Sequence, residues 1–303
     1  MSDGTQARRT VIYLLDQVLG EGRLLAECYA AGALERLTPE DRARTQRLTL
    51  QTLRSLERAD RVLQKHLKKS TPLTVQNALR LGAVELCHGA AAHGVVNDMV
   101  AIISKHRRHG QLKGLVNAVL RKVADQGPVE WAKLRVPRLP KWLRKPLADA
   151  WGGEAMLEIE AAHYAGAPLD ITGKPGADLS GLGGAVLATG SHRLTDAGQV
   201  SALAGYAAGD WWVQDAAAAL PAQLLRVKPG ERVLDLCAAP GGKTMQMAAS
   251  GASVTAVDTS ASRMERLQEK FKKEMLLLQV EWEENSPEMF LDRETLNPIQ
   301  LKN

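Results

Sequence analysis

Residues 233–258 read VLDLCAAPGGKTMQMAASGASVTAVD: a short apolar run, a Pro-Gly-Gly turn, a helical stretch and a second apolar run that stops on Asp258. The pattern predicts a strand, a helix and a second parallel strand around a ligand. Gly241 and Gly242 have no Cβ, so backbone passes close to a bound group there, and an acid ending the next strand can accept both hydroxyls of a ribose. Asp258 lies 17 residues past Gly241, a spacing that suits this role. A nucleoside-bearing cofactor is expected.

Spacing separates the Gly-rich sites that compete for this string. A P-loop shares Gly242, Lys243 and Thr244, but the Gly it needs five positions earlier is Cys237. The dinucleotide fingerprint G-x-G-x-x-G is absent, because Ala238, Ala239 and Pro240 fill the turn and Pro240 has no amide to offer a pyrophosphate. A ligand without phosphate fits better. S-adenosylmethionine, with a ribose, an adenine, a sulfonium and an amino-acid end, meets that requirement. An ordinary strand–turn–helix with no ligand is the bland alternative.

The string DLCAAPGGKT, Asp235 to Thr244, resembles the cofactor loop of the RNA (cytosine-5) methyltransferases, in particular the RsmB-type ribosomal RNA methyltransferases. Upstream, VQDAAAALPAQLL at 213–225 is similar to the segment before the first core strand of that family, and the likeness runs from about residue 7 to about 268. The resemblance implies that Cys237, Ala238, Ala239, Pro240, Gly241, Gly242 and Lys243 wrap the methionine part of S-adenosylmethionine and that Asp258 holds the ribose.

The charge is uneven. The net charge is +5, but residues 1–150 hold 26 Lys and Arg against 14 Asp and Glu, whereas residues 151–303 hold 13 against 20. The basic half is the one expected to meet RNA, since clustered cations supply sequence-independent phosphate affinity; solvated helix faces are the plain alternative. No apolar run approaches the roughly 20 residues of a membrane span, and MSDGTQARR lacks the apolar core of a signal peptide. A cytoplasmic chain away from membranes is expected, and a monomer. Cys28, Cys87 and Cys237 are too scattered for a disulfide framework or a CxxC metal site. Cys87, His88 and His93, and likewise His106 and His109, lack a four-ligand spacing, so no metal is expected.

The first 125 residues read as helices. Val11, Leu14, Leu15, Val18 and Leu19 form one apolar stripe, and Leu112, Leu115, Val116, Val119, Leu120 and Val123 another. Thr38-Pro39-Glu40-Asp41 is a capped helix start leading into 48–67, and further helices carry Val75 to Leu86 and Val95 to Ile103. Residues 1–127 therefore form an all-α domain, which resembles the NusB-like domain of RsmB relatives, KGLVNAVLRK at 113–122 being the closest stretch. Arg107, Arg108, Lys113, Arg121 and Lys122 are the candidate RNA contacts.

Gln126-Gly127-Pro128 is read as the end of the last helix. A basic linker follows, KLRVPRLPKWLRKP at 133–146, with six cations among three prolines. Trp142 and Trp151 are expected to pack on a neighbouring domain rather than to stack on bases. Short β-like runs, LDITGK, AVLATGSHRLT and GDWWVQD, then predict a small α+β module, so that 128–212 is linker plus module. Residues 213–270 begin a Rossmann-like α/β methyltransferase domain, and 271–303 form a divergent tail. The fold expected is thus multidomain: an all-α NusB-like part, an α+β module and an incomplete Rossmann-like domain.

The chain departs from the family in its chemistry. Family members carry two cysteines in later Asp-Ala-Pro-Cys and Thr-Cys motifs, one of which adds to C6 of cytosine so that C5 becomes nucleophilic. Neither motif occurs here, and no residue inherits the nucleophile's role. Two strands of the core are convincing, 233–236 and 254–257; residues 276–282 would add a third beside the second and leave the first strand's other edge unpaired. A truncated or frameshifted reading frame is the expectation for the tail. Two functions follow: an S-adenosylmethionine-dependent ribosomal RNA (cytosine-5) methyltransferase by family, or a non-catalytic RNA-binding protein.

Overall fold

The computed structural model describes residues 3–195, 198, 200–260, 263–265 and 267, together with 280–281, 290–291 and 298–299. The chain divides into two compact units, Met1–Ala167 and Pro168–Asn303.

The first unit is helical. It contains α1 (Asp3–Leu19), α2 (Leu25–Ala30), α3 (Pro39–Arg54), α4 (Leu56–Gln64), α5 (Leu73–Cys87), α6 (Ala92–Ser104), α7 (Lys113–Ala132) and α8 (Lys141–Ala165). The apolar stripes become the core: Val11, Leu15, Leu79, Val84, Met99, Ile103, Val116, Leu120 and Val123 pack in one cluster. Each fully buried aliphatic side chain of this kind contributes about 1.5–3 kcal/mol. Thr38 caps α3 as expected, its Oγ1 accepting the Asp41 amide at 3.3 Å, with Pro39 in the first turn. The continuous helix expected through 48–67 instead breaks at Ser55, whose φ of −102° and ψ of 7° end α3 and start α4. Deep in the bundle, Arg8 of α1 donates to both Glu85 oxygens of α5 at 2.7 Å and to Asp98 of α6 at 2.6 Å.

Gly127 and Pro128 do not end a helix. Helix α7 runs through them to Ala132, because Val123, Gly127 and Trp131 are buried on its inner face and outweigh the one hydrogen bond that Pro128 forgoes. The chain is extended or turning over 133–140, and Pro140 then starts α8. Gly152, at φ 83° and ψ 167°, folds α8 into two helical arms, a left-handed position that favours glycine. Glu160 of the second arm accepts from Arg144 Nε of the first at 2.9 Å and from the Leu139 amide at 2.9 Å. Arg58 ties these pieces to α4. Its guanidinium lies 4.6 Å from the Trp131 ring centroid and 5.2 Å from that of Tyr164, donating to the Trp131 carbonyl and, at 2.7 Å, to Tyr164 Oη.

The second unit opens with an antiparallel sheet ordered β2-β3-β1-β4, from β1 (Leu169–Gly173), β2 (Ala185–Val186), β3 (His192–Leu194) and β4 (Trp211–Val213). These are the β-like runs read from the sequence, and Ile171, Leu194 and Trp211 pack between them. The buried Asp170 carboxylate accepts Arg193 at 2.7 and 2.9 Å and the Ala216 amide at 3.1 Å, fastening β3 and the start of α9 (Ala216–Leu224) to β1.

A parallel sheet follows, ordered β5-β6-β7, with β5 (Arg232–Asp235), β6 (Ser253–Ala256) and β7 (Val280–Glu281), and with α10 (Gly242–Ala249) between β5 and β6. The third strand stands beside the second, as the apolar pattern of 276–282 predicted; the rest of that segment lies outside the described residues. Among the described residues β5 has no strand on its other side, and Leu234 of β5 and Leu236 just beyond it are exposed. A short antiparallel pair, β8 (Phe290–Leu291) and β9 (Pro298–Ile299), completes the described structure.

Candidate cofactor and RNA sites

The turn between β5 and α10 is built from short-range hydrogen bonds that its sequence dictates. Asp235, the last residue of β5, accepts the Cys237 amide at 3.4 Å on Oδ1 and the Thr244 hydroxyl at 2.7 Å on Oδ2, so one acid spans the loop from entry to exit. The Ala238 amide donates to the Val257 carbonyl at 3.0 Å and the Gly241 amide to the Ala238 carbonyl at 2.7 Å. The Ala239–Pro240 bond is cis.

Gly241 is required by shape. Its φ is +102°, and a Cβ there would lie 1.9 Å from Leu267 Cδ1. Gly242 meets Gln214, whose Cγ would stand 3.3 Å from an added Cβ. Gln214 is itself fixed, accepting from Trp212 Nε1 at 2.9 Å and donating to Gln246 Oε1 of α10 at 3.0 Å. The two glycines thus allow close approach by protein: Leu267 on one side and Gln214 on the other.

Asp258 stands two residues beyond β6 with its side chain almost wholly buried. Oδ2 accepts the Ala239 amide at 3.1 Å and Oδ1 the Ser260 amide at 3.0 Å. Arg263 approaches Oδ2 at 3.7 Å and donates to the Ala239 carbonyl. Asp258 therefore holds the loop. The sequence reading missed Asp235, Thr244, Gln214 and Arg263 as builders of this site; the acid closing the first strand was the available signal for Asp235.

Helix α10 begins at Gly242, so the amides of Gly242, Lys243 and Thr244 have no carbonyl inside the helix to bond, while Met245 already donates to the Gly241 carbonyl at 2.8 Å. Lys243 is exposed at this end. A shallow groove of about 210 Å³ beside β5 is lined by Leu234, Asp235, Leu236, Lys243 and Met247 with Pro221, Ala222 and Leu225 of the preceding segment. Free amides, a cation and two carboxylates at the ends of adjacent parallel strands can receive a carboxylate, an ammonium group and vicinal hydroxyls.

The cysteines differ in setting. Cys28 is buried and Cys237 is exposed in the loop. Burial pushes the Cys87 thiol up to about 12, with Arg58 opposing and Glu130 adding to the shift.

In the helical unit, Arg107 and Arg108 lie in the connection between α6 and α7, Lys113 opens α7, and Arg121 and Lys122 lie two turns farther along. All five are exposed, and none has an ion-pair partner among the described residues. Helical geometry sets Arg121 about 80° round from Lys113 and Lys122 about 180° round, so Lys113 and Arg121 share a side of α7 and Lys122 turns away from Lys113. The connection is stiffened by the His106 and His109 rings, stacked at 4.7 Å, and by the Arg108 amide donating to His106 Nδ1 at 3.3 Å. Trp142 and Trp151 are not packed: they are 75% and 71% exposed. No helix among the described residues is long and apolar enough to cross a membrane.

Comparison with known proteins bears on both units. The NusB family matches residues 5–125, and the family described as 16S rRNA methyltransferase RsmB/F matches residues 222–286. The ribosomal RNA small subunit methyltransferase B of Klebsiella pneumoniae subsp. pneumoniae is 31% identical over 299 residues, covering 90% of this chain and 68% of the relative. The protein of the same name from Pseudomonas putida is 34% identical over 261 residues, covering 78% of this chain and 59% of the relative, and that from Thermus thermophilus is 35% identical over 271 residues, covering 88% and 63%. The chain thus spans less than two thirds of the length of several curated relatives that it matches. Among solved structures, the crystal structure of PH0851 superposes with a TM-score of 0.62 at 18% identity, covering 91% of this chain and 68% of that one, a likeness of fold.

Proposed function

The chain belongs to the ribosomal RNA small subunit methyltransferase B family, and from that membership we propose that it serves S-adenosylmethionine-dependent methylation of ribosomal RNA at C5 of cytosine, supplying the cofactor pocket and an RNA-holding helical unit. The observation that carries the reading is the loop of 236–241, with Asp235 and Asp258 at the ends of adjacent parallel strands and the free amides of α10 between them. This donor set fits the group: the amides and Lys243 suit the methionine carboxylate, Asp235 the ammonium, Asp258 the ribose hydroxyls, and Pro240 stands where a phosphate site would need an amide.

S-adenosylmethionine supplies an activated methyl group when bound. The protein's own part here is positioning: Cys237 to Lys243 form the wall around the methionine end, and Asp258 fixes both that wall and the ribose side. Attack by C5 on the sulfonium methyl group needs a thiolate first added at C6 of the base. Cys28 is buried, the Cys87 thiol stays protonated near neutral pH, and Cys237 belongs to the pocket wall, so none of the three is assigned as nucleophile. Arg107, Arg108, Lys113, Arg121 and Lys122 would meet RNA phosphates.

That setting of the cysteines favours a second reading, in which these residues bind RNA without transferring a methyl group. Incubation of the purified chain with labelled S-adenosylmethionine and ribosomal RNA separates the two. Incorporation above background supports the methyltransferase; RNA retained on a filter without incorporation supports the binding protein; failure to bind either ligand refutes both.

A further inference from the structure

Trp142 sits in the first turn of α8, 75% exposed, between Lys141 and the i+3 residue Lys145, with Arg138 just across Pro140. A tryptophan this exposed is unusual, since its ring is among the largest apolar surfaces a chain can bury. The backbone that presents it is fixed on both sides. Glu57 accepts the Arg138 amide at 2.9 Å and Glu160 accepts the Leu139 amide at 2.9 Å. Two nearby arginines are used up in this bracing, Arg135 with Glu57 and Arg144 with Glu160. The others are not: the Arg138 and Lys141 side chains have no ion-pair partner among the described residues, and Lys145 pairs only with Asp149, at 2.6 Å and fully in water, where such a contact is weak.

We propose that Trp142 is a stacking platform for one unpaired base of the RNA, with Arg138, Lys141 and Lys145 on the flanking phosphates. An aromatic face held out by rigid backbone beside two unpaired cations, Arg138 and Lys141, and a third, Lys145, held only by an exposed ion pair, matches the two needs of single-stranded nucleic acid, π-contact for a base and positive charge for its backbone. An apolar protein partner would desolvate the same cations without countercharge. The proposal rests on the RNA-binding reading above and names where an unpaired stretch lies. Trp151 supplies the internal control: it is 71% exposed, but nine residues on it projects from the opposite side of the helix, beside Gly152 and between Asp149 and Glu154.

The experiment measures anisotropy of a labelled single-stranded RNA of about 12 nucleotides with the full chain and its Trp142→Ala, Trp142→Phe and Trp151→Ala variants. Loss of a base stack is expected to weaken binding at least about 10-fold in Trp142→Ala, while Trp142→Phe regains most of it and Trp151→Ala stays within about 2-fold of the parent. In the parent the RNA quenches tryptophan emission, and Trp142→Phe loses that quenching. Thermal melting of each variant, expected to be unchanged for an exposed position, checks the fold. Equal RNA affinity of Trp142→Ala and the parent overturns this proposal and leaves the RNA reading standing; no RNA binding by the parent overturns both. Equal losses in Trp142→Ala and Trp151→Ala, with reduced self-association in sedimentation, point to a protein-docking surface and overturn it as well.

Discussion

The Asp258 carboxylate and the Ala239 amide are joined at 3.1 Å, so the acid after the second parallel strand holds the turn that follows the first. On the ribose contact proposed for Asp258, ligand affinity and loop stability are coupled in one side chain. Asp258→Ala is expected to destabilise the second unit by about 1–3 kcal/mol, through loss of charge-assisted hydrogen bonds, and to weaken S-adenosylmethionine binding at least about 10-fold. Asp258→Asn keeps one acceptor oxygen and should lose less stability than Asp258→Ala. Calorimetric titration and thermal melting of both variants test this; unchanged melting in Asp258→Ala would refute the structural half.

Gly241→Ala tests the shape of the same turn. The substitution places a methyl group against Leu267 at a left-handed backbone position, and about 2–4 kcal/mol of destabilisation is expected from strain and overpacking together. Gly241→Ala combined with Leu267→Ala should recover the steric part but not the backbone part. Full recovery in urea unfolding would show that φ imposes no cost.

Asp170 gives the second unit an acid limit. Its hydrogen bonds from Arg193 outweigh the opposing effect of burial and, with the Ala216 amide, hold its carboxyl below the ordinary carboxylate value. A lowered folded-state value means that the stabilisation is complete above the unfolded value of about 3.9 and fades as pH falls through the folded one. Emission of the buried Trp211 and Trp212 during acid titration should report it. Asp170→Asn is expected to be less stable at pH 7 and to show a shallower loss of stability below pH 4; an unchanged acid slope would place the limit elsewhere.

Cysteine alkylation should be selective. At pH 8 the Cys87 thiol stays protonated because its value stands at about 12, and Cys28 is buried. Iodoacetamide is expected to add once, at Cys237, in the folded chain and three times in urea, as read by intact mass. Rapid addition at Cys87 would contradict its burial.

What was legible in the sequence was local. The β5–α10–β6 unit follows from apolar runs, a Pro-Gly-Gly turn and a closing acid within 26 residues, and each helical stripe repeats within a few turns. What was not legible depends on distant partners. Pro128 stays inside α7 because Gly127 and Trp131 are buried against the bundle, and the bend of α8 at Gly152 is held by Glu160 reaching Arg144. The loop-holding role of Asp258 depends on an amide 19 residues away and on how the turn closes. Trp142 defied its residue type: hydrophobicity argues for burial, whereas bracing by Glu57 and Glu160 keeps it in water.

Arg58 sets an order of events during synthesis. Its guanidinium finishes between Trp131 and Tyr164, the second of these 106 residues downstream, while the match to the NusB family ends at residue 125. As the chain leaves the ribosome amino end first, the earlier helices can gather their apolar faces, yet this charge keeps its final partners only after the second arm of α8 has emerged. Until then hydration of Arg58 competes with closure of the bundle. Completion of the first unit is thereby timed by residue 164, well beyond the segment that its family likeness would mark as sufficient.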